Sequence, residues 1–378
     1  MDNFNNFEQK QDVNVNSSYS STSSTNYKCP NCGAPISLDA ELQLFKCDFC
    51  WSKYSPESME VADQKRIKKE QQRIRHSKNQ EAKARASNEV VLAYHCENCG
   101  ADVVTDETTT ATFCYYCHSP VILESRLLGN DRPDEIIPFS ISREHAQQLF
   151  LDWTKTKRYL PNDFRTKAHL EKMTGVYIPY WFMDSDVKVN FVGTSKKSQS
   201  NRVGDYLHTE VTSYAHQRRG TQYFTDVNVA GTNKIDINLL NGIEPFDSDK
   251  IQKFSMPMLS GFFAESYTLN EANANKFLEQ TILGLADRLL SRSFSFTGAV
   301  NPTHKNFVQK SKGARYVMLP IWILTYNYQG KIYVFGVNGE SGEATGELPI
   351  VKSKLYRDSV LWGLLVAAIA FILIFLLS

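Results

Sequence analysis

The spacing of the cysteines constrains this sequence more than any other feature. Two Cys-x-x-Cys pairs separated by fourteen residues occur early in the chain, and the same arrangement recurs 67 positions later. The residues around the second cysteine also repeat, since Asn31-Cys32-Gly33-Ala34 becomes Asn98-Cys99-Gly100-Ala101. The two sets contain every cysteine of the chain: Cys29, Cys32, Cys47 and Cys50, then Cys96, Cys99, Cys114 and Cys117. The sequence therefore predicts two copies of one small unit.

Each set has the chemistry of a zinc ribbon. A Cys-x-x-Cys pair forms a tight turn whose two sulfurs converge, and two such turns joined by a hairpin form a tetrahedral cage of four sulfurs. Such a cage suits Zn²⁺, with Zn–S distances of about 2.3 Å. Four protein ligands leave no coordination position for a substrate, so we predict two structural Zn²⁺ ions per chain. A ribbon this small has little core, so the metal must supply most of its folding free energy.

Two other uses of eight cysteines remain as alternatives. Disulfides require an oxidising compartment, and no secretory signal precedes the first cysteine. An iron–sulfur cluster can also be held by four cysteines, although two separated Cys-x-x-Cys pairs are more typical of zinc. The pattern favours zinc over both.

The N-terminal third divides around the ribbons. Residues 1–26 are rich in Asn, Ser and Thr, which predicts a disordered tail. Ribbon 1 is assigned to residues 27–55 and ribbon 2 to residues 94–121. The segment 56–93 between them is charged, with nine Lys or Arg against two Glu over residues 65–85. We interpret it as a solvated helical spacer, with a basic arm for nucleic acid, anionic lipid or an acidic protein as the alternative.

Residues 134–350 have the pattern of an α+β domain with a mainly antiparallel sheet. Ser142 can cap a first helix, and Thr268 with Glu271 can form a capping box for a second helix over 269–292. Between the helices, runs rich in Val, Ile, Tyr, Trp and Phe predict strands, with a hairpin tip at Gln217–Gly220. The predicted fold class is thus two small β zinc ribbons plus an α+β domain and one C-terminal transmembrane helix.

The transmembrane prediction rests on residues 359–377. From Val360 to Leu377 no side chain is charged, and a helix of that length spans about 27 Å, close to the thickness of a bilayer core. Lys352, Lys354 and Arg357 precede it, which predicts a single-pass protein of the cell membrane with its N-terminal domains in the cytosol.

No motif of an enzyme is present. The sequence has no phosphate-binding loop, no dinucleotide fingerprint and no His-Glu-x-x-His zinc-protease motif. His208, Glu210 and His216 lie on predicted strands at irregular spacing, and we assign them no catalytic or metal role. All thiols are used by the two cages. We therefore expect a protein that is not an enzyme and that binds no cofactor besides its metal.

Five parts of the chain resemble a bacterial family of tail-anchored double zinc-ribbon membrane proteins, often labelled "TFIIB-type zinc ribbon" or primosomal helicase-like. They are the two ribbons, the segment around Ile137-Pro138-Phe139, the stretch Gly175–Trp181 and the segment from Leu319-Pro320 to Gly339. The resemblance covers most of the chain after residue 27. It implies partners that resemble phage-shock protein A and SPFH or virion-core proteins, and a role at sites of membrane stress. It implies no reaction, and the helicase label has no motif here.

Two functions fit these features. The first is a membrane-anchored scaffold or adaptor that holds cytosolic partner proteins at the membrane. The second is a membrane tether that binds DNA or RNA through the ribbons and the basic spacer. Net charge is only +1, with 42 basic and 41 acidic residues. From Tyr94 to Ser119 there is no Lys or Arg against four acids, a poor composition for phosphate binding. The sequence therefore favours protein partners, with nucleic acid as the alternative.

Overall fold

The computed structural model describes residues 20–23, 27–59, 61, 92–96, 99, 102–105, 108–114, 117–127, 131–294 and 299–377. Most of the predicted spacer and most of the predicted N-terminal tail lie outside these residues. The chain forms two compact units. Unit 1 comprises residues 1–38, 44–131 and 256–261, and unit 2 comprises residues 39–43, 132–255 and 262–378.

The cysteine-bearing segments are built from short strands: β1 (Ser20–Ser23), β2 (Ser37–Asp39), β3 (Leu44–Lys46), β4 (Lys53–Tyr54), β5 (Leu92–His95), β6 (Asp102–Val104), β7 (Thr109–Phe113) and β8 (Pro120–Ile122). The first segment forms a sheet in the order β2-β3-β4. In the second, β5 lies between β1 and β6, and β7 pairs with β8. Two expectations change here. β1 lies within the predicted disordered tail. In ribbon 2 the two strands between the cysteine turns, β6 and β7, do not form the predicted hairpin with each other but pair with β5 and β8. Two 3-10 helices, Glu124–Leu127 and Met256–Leu259, complete this part of the chain.

The larger unit contains three very long strands. Its strands are β9 (Glu135–Ile136), β10 (Thr174–Val203), β11 (Tyr206–Ala230), β12 (Gln252–Lys253), β13 (Phe263–Glu265), β14 (Asn301–Tyr328), β15 (Lys331–Asn338) and β16 (Ala344–Gly346). Its helices are α1 (Arg143–Lys155), α2 (Lys167–Leu170), α3 (Ile237–Ile243), α4 (Glu271–Arg292) and α5 (Lys352–Leu377), with a 3-10 turn at Ser248–Lys250.

β10 is the centre of the sheet. It pairs antiparallel with β14 from Thr174 to Thr194 and antiparallel with β11 from Tyr180 to Val203. Short parallel pairings add β13 to β10 and β9 to β14, and β15 and β16 extend the antiparallel part. Beyond Thr194 the partner β14 ends, so β10 and β11 continue as a two-stranded ribbon to their turn at Gly204 and Asp205.

The core of this unit forms where the long strands are most apolar. Alternate side chains such as Tyr180 and Leu319 pack with α3 through Leu240 and Ile243. An aromatic cluster is centred on Phe139, which stacks on Phe262 at 4.2 Å between ring centroids and meets the edge of Tyr177 at 5.0 Å. Burial of these large rings is the main stabilising contribution expected for a sheet of this kind.

A charge cluster links four of the strands. Asp184 lies at a bulge in β10 and accepts a hydrogen bond from the backbone N–H of Asp226 on β11 at 3.1 Å. The guanidinium of Arg315 on β14 contacts Glu135 on β9, Asp226 at 2.6 Å and Asp184 at 3.7 Å. One guanidinium therefore contacts carboxylates from three other strands, and the Nζ of Lys312 lies 3.5 Å from Asp184 as a second cation.

The predicted hairpin tip is wrong. Gln217–Gly220 lies inside β11, and the chain turns instead at Gly204, whose φ of +63° suits glycine. Residues 194–203 are mostly Ser, Thr, Asn, Gln and Lys, so they lack the apolar alternation by which strands are recognised in a sequence. Cross-strand pairing along the whole of β10 and β11 nevertheless makes them strand.

The helix boundaries follow local capping chemistry. Ser142 caps α1 as predicted, because its Oγ accepts a hydrogen bond from the N–H of His145 at 3.2 Å. The second helix begins later than predicted. Its cap is Asn270, whose Oδ1 accepts from the N–H of Asn273 at 3.0 Å, in place of the predicted Thr268.

The predicted fold class is contradicted in two respects. Strands account for 42% of the described residues, so the protein is mostly β, because the three long strands absorb segments that the sequence pattern assigns to turns and loops. In addition, across the part of the chain that the structure describes, no helix combines the length and the apolar character that crossing a membrane demands.

The C-terminal helix α5 shows where the transmembrane prediction departs from the structure. It starts at Lys352 and carries Lys354, Arg357 and Asp358 in its first two turns. The Nζ of Lys354 donates to the carbonyl of Leu160 and to Asn162, both at 2.7 Å. Because no helix among the described residues meets the requirements of a membrane span, the predicted span at 359–377 is wrong, and the single-pass membrane localisation and the membrane partnership that depended on it are wrong with it.

Candidate metal centres

In ribbon 1 the backbone folds each Cys-x-x-Cys pair into the same turn. The N–H of Gly33 donates to the carbonyl of Cys29 at 2.8 Å, and the N–H of Trp51 donates to the carbonyl of Cys47 at 2.9 Å. Gly33 and Trp51 both have positive φ, +75° and +60°. This left-handed residue reverses the chain and turns both sulfurs to the same side.

Ribbon 2 repeats this geometry at the offset of 67. The N–H of His118 donates to the carbonyl of Cys114 at 2.8 Å, as that of Trp51 does to Cys47, and the φ of His118 is +55°. The N–H groups of Cys47 and Cys114 donate to the carbonyls of Ser52 and Ser119, both at 3.0 Å. The sequence repeat is therefore a repeat of backbone structure.

The structure brings the eight predicted ligands together in the two predicted groups of four. Within each group every pair of sulfurs lies within 4.8 Å. The measured Sγ–Sγ distances are 3.5 Å for Cys29–Cys50 and Cys32–Cys47, and 3.8 and 3.7 Å for the equivalent pairs of ribbon 2. A tetrahedron with Zn–S bonds of about 2.3 Å has edges of about 3.8 Å, so both cages fit one Zn²⁺ ion.

The same sulfur–sulfur distances test the two alternatives to zinc, disulfide bonds and an iron–sulfur cluster. A disulfide needs sulfurs about 2.05 Å apart, and the sulfurs here are separated by at least 3.5 Å. A multi-iron cluster places its own sulfides between its irons and needs a wider cavity than four sulfurs this close together provide. The donor set and its size therefore support a single tetrahedral ion in each cage, with zinc as the ion that the ligand chemistry favours.

The cages are half enclosed by protein. In each ribbon the first and third cysteines are buried, the second is exposed and the fourth is intermediate. On the inner side of ribbon 1, Tyr27 is buried and the hydroxyl of Tyr54 lies 3.7 Å from the Sγ of Cys29. This hydrogen bond raises the pKa of Tyr54 and keeps its hydroxyl protonated, so that it can donate to the thiolate.

A serine supports each cage, although it belongs to no recognised metal-binding motif. The Oγ of Ser52 lies 3.3 Å from the Sγ of Cys50, and the Oγ of Ser119 lies 3.0 Å from the Sγ of Cys117. The hydrogen bonds with Ser52 lower the pKa of Cys50 to about 5, which favours the thiolate that binds metal. The sequence repeat could have identified these serines, because Ser52 and Ser119 are also 67 positions apart.

Replacing Ser52 with alanine is expected to weaken metal binding in ribbon 1 by roughly 10–100-fold without preventing folding, because outer-shell partners of ligands typically have effects of that size. Competition with a chromophoric zinc chelator measures the affinity of each site. Ser119→Ala should produce the same loss in ribbon 2, and Ser58→Ala, at an exposed serine away from the sulfurs, serves as the control. An unchanged affinity in both cage variants would contradict a supporting role for these hydroxyls.

Other candidate groups are dispersed. His208, Glu210 and His216 lie on β11, and His216 is hydrogen-bonded to the Oγ of Ser195 at 2.8 Å. They do not join a metal-binding group among the described residues. Tyr115 and Tyr116, which lie between the last two ligands of ribbon 2 in the sequence, are outside the described residues.

Comparison with known proteins gives one distant similarity to report. The chain is 28% identical over 329 residues to "Uncharacterized protein YdjG" of Bacillus subtilis (strain 168), which covers 87% of this chain and 91% of the relative. No family model matches the sequence, so membership of the TFIIB-type zinc-ribbon family is not confirmed. No solved structure matches either. The chain is thus a distant relative of YdjG with two four-cysteine sites that can bind metal.

Proposed function

We propose that this protein is an adaptor without catalytic activity, in which zinc-stabilised ribbons present a surface to partner proteins. The observation that carries the proposal is a pair of exposed aromatic rings on the metal turn of ribbon 1. Phe49 lies between two ligands and is 75% exposed, and Trp51 follows the last ligand and is 70% exposed. Large exposed rings on a rigid turn are typical anchors of protein interfaces.

The cage constrains the backbone that carries Trp51. Because Trp51 has a left-handed backbone and its N–H is bonded to Cys47, its orientation depends on closure of the cage. The Nζ of Lys46 lies 5.6 Å from the centre of its ring and adds a cation–π contact. Little side-chain entropy would then be lost on binding a partner, which favours affinity.

The chemistry of the cages supports a structural role for the metal. Four cysteines fill the tetrahedral positions of each site, so a bound Zn²⁺ would have no open position at which to activate water. Charge also favours protein over nucleic acid at ribbon 1, where three lysines and three acids balance: Lys28, Lys46 and Lys53, with Asp39, Glu41 and Asp48.

The test is site-specific cross-linking in cells. A photoreactive amino acid at Phe49 or Trp51 is expected to form a discrete adduct with another protein, identified by mass spectrometry, and the purified partner should then bind the purified chain. The double variant Phe49→Ala, Trp51→Gly should abolish that binding while retaining two zinc ions per chain. Glycine is chosen at 51 because it tolerates the left-handed backbone and avoids strain.

Two controls make the test specific. The same photoreactive residue at Phe277, an exposed aromatic on α4, should yield no such adduct, and Phe277→Ala should leave binding unchanged. If the Phe49 and Trp51 variant binds the partner as tightly as the unmodified chain, ribbon 1 is not the adaptor surface.

A further inference from the structure

The long sheet has one covered face and one open face. Along β10 the buried side chains Val187 and Val189 alternate with the exposed side chains Asp186, Lys188 and Val192. Helix α4 packs on β10, β11 and β14 on the buried side, where Phe191 contacts the ring of Phe294 just after the helix. The other face has no covering element among the described residues.

The open face is strongly basic. Residues paired directly across antiparallel strands point to the same face. Arg219 is paired with Asn190 and Lys310 with Asp186, so both share the side of Lys188. The same alternation continues along the two-stranded ribbon. We call the resulting surface the basic face, and its cations are Lys188, Lys196, Arg202, Arg219 and Lys310.

This positive charge has little to neutralise it. Asp186 is the single acid at the positions of β10, β11 and β14 that form the open face from Asp186 to the turn. Over the described residues, no carboxylate lies within ion-pair distance of Lys188, Lys196, Arg219 or Lys310. The chain as a whole is nearly neutral, with 42 basic and 41 acidic residues, so the charge is concentrated here rather than spread by composition. Unpaired cations on one surface attract a polyanion.

The dimensions of the face indicate which polyanion fits. From Lys310, opposite Asp186, to Arg202 the cations extend over about 53 Å at roughly 3.3 Å per residue. The face is only three strands wide, about 10 Å, and narrows to two strands beyond Thr194. A track of that shape suits one extended chain and is too narrow to seat the width of a duplex.

The twist of the strands indicates whether the ligand of the basic face is a flexible chain or a flat surface. Strands twist, and a two-stranded ribbon twists more strongly than a wide sheet, so the cations at the two ends face different directions. A planar lipid surface can meet only part of such a face, whereas a flexible single strand can follow it. The side chains between the cations also suit a nucleic acid. The exposed side chains of Thr194 and Asn306 can bond to phosphate or sugar oxygens, and Tyr223 is 74% exposed and can stack on a base.

From this geometry we infer that the basic face binds single-stranded nucleic acid, holding its phosphates along β10, β11 and β14. The interaction is mainly with the backbone of the strand and tolerates many sequences, because one exposed aromatic ring gives little base selection. It goes beyond the adaptor role proposed above and uses neither the ribbons nor the charged segment between them.

The test titrates the full zinc-loaded chain into a fluorescent single-stranded oligonucleotide of about 20 nucleotides, longer than the ~16-nucleotide upper range of such sites. With four or five phosphate contacts, log K against log salt should have a slope of about −3. The variant Lys188→Glu, Arg219→Glu, Lys310→Glu should weaken binding at least about ten-fold at low salt and reduce the slope by about 2.

Two control variants accompany the test, and the first matches its change in charge. Lys155→Glu, Lys167→Glu, Lys276→Glu makes the same change at exposed sites on other elements and should leave binding nearly intact. Neutralising Lys65, Lys68, Lys69, Arg73 and Arg75 with glutamine tests the charged segment. Equal binding by the basic-face variant, or loss of binding on neutralising that segment alone, would overturn the inference. So would failure to bind oligonucleotide combined with binding to phosphatidylserine vesicles that the basic-face variant abolishes.

Discussion

Replacement of Cys47 with serine is expected to remove one of two zinc ions and unfold ribbon 1 while ribbon 2 keeps its metal. Cys47 is fully buried in its cage, and serine does not replace a thiolate as a soft ligand for zinc. Structural zinc contributes about 10–16 kcal/mol of apparent binding free energy in zinc-finger peptides, more than a ribbon of this size can replace by packing. Elemental analysis of the purified variant and proteolysis of the 27–55 segment measure the two effects.

The matched control is Cys114→Ser, the equivalent ligand 67 positions later. It should show the reverse pattern, with ribbon 1 intact and ribbon 2 sensitive to protease, because each cage is closed by its own four cysteines. Less than one zinc per unmodified chain, iron in place of zinc, or loss of both ions from either variant would contradict two independent structural zinc sites.

Arg315→Met is expected to lower the free energy of unfolding of the larger unit by about 2 kcal/mol. The substitution leaves Glu135, Asp184 and Asp226 close together without their shared cation. Removing one partner from a fully buried ion pair costs about 3–5 kcal/mol, and this cluster is partly exposed, with 32% of the Arg315 side chain accessible, which reduces the effect. Urea denaturation followed by the fluorescence of the buried tryptophans measures it.

Two further variants test whether the loss of unfolding free energy comes from the charge cluster. Arg315→Lys should recover part of the loss, because an ammonium keeps the charge but cannot reach several carboxylates with separate N–H groups. Lys331→Met removes the exposed ion pair with Glu347 and should leave the denaturation midpoint unchanged. If Arg315→Met and Lys331→Met behave alike, the three-carboxylate cluster does not hold the strands together.

The metal sites could be predicted from the sequence because their geometry is local. A Cys-x-x-Cys turn fixes its own sulfurs, and a second turn needs only a short connection to complete the cage. The supporting residues Ser52 and Ser119 were missed because serine alone is uninformative, although their common offset with the ligands identifies them. The Ser142 cap was predicted correctly for the same reason, since it depends on three neighbouring residues.

The long strands could not be predicted as well, because their pairing is not local. Nothing near Ser198 indicates a strand, and its conformation is set by its partner Val211 across the ribbon. A hydroxyl-rich segment has no apolar period, so the turn was misplaced at Gln217–Gly220. The C-terminal helix shows the opposite error, where an uncharged run suggested a membrane span that the described residues do not support. The composition of a segment limits the conformations open to it, and for the long strands the pairing with distant residues determines which conformation forms.

The pairing of β10 with β14 has a consequence for synthesis of the chain on the ribosome. Thr194 pairs with Asn301 and Thr174 pairs with Ile323, so the partner residues are made 107 and 149 positions later (301 − 194 and 323 − 174). At about 5–20 residues per second that delay is roughly 5 to 30 seconds. The ribbon 1 ligands span only positions 29 to 50, so this cage can close while translation continues. The aromatic half of β10 emerges after both ribbons and remains without its partner β14 for that time, which makes it a segment of the nascent chain in need of a chaperone.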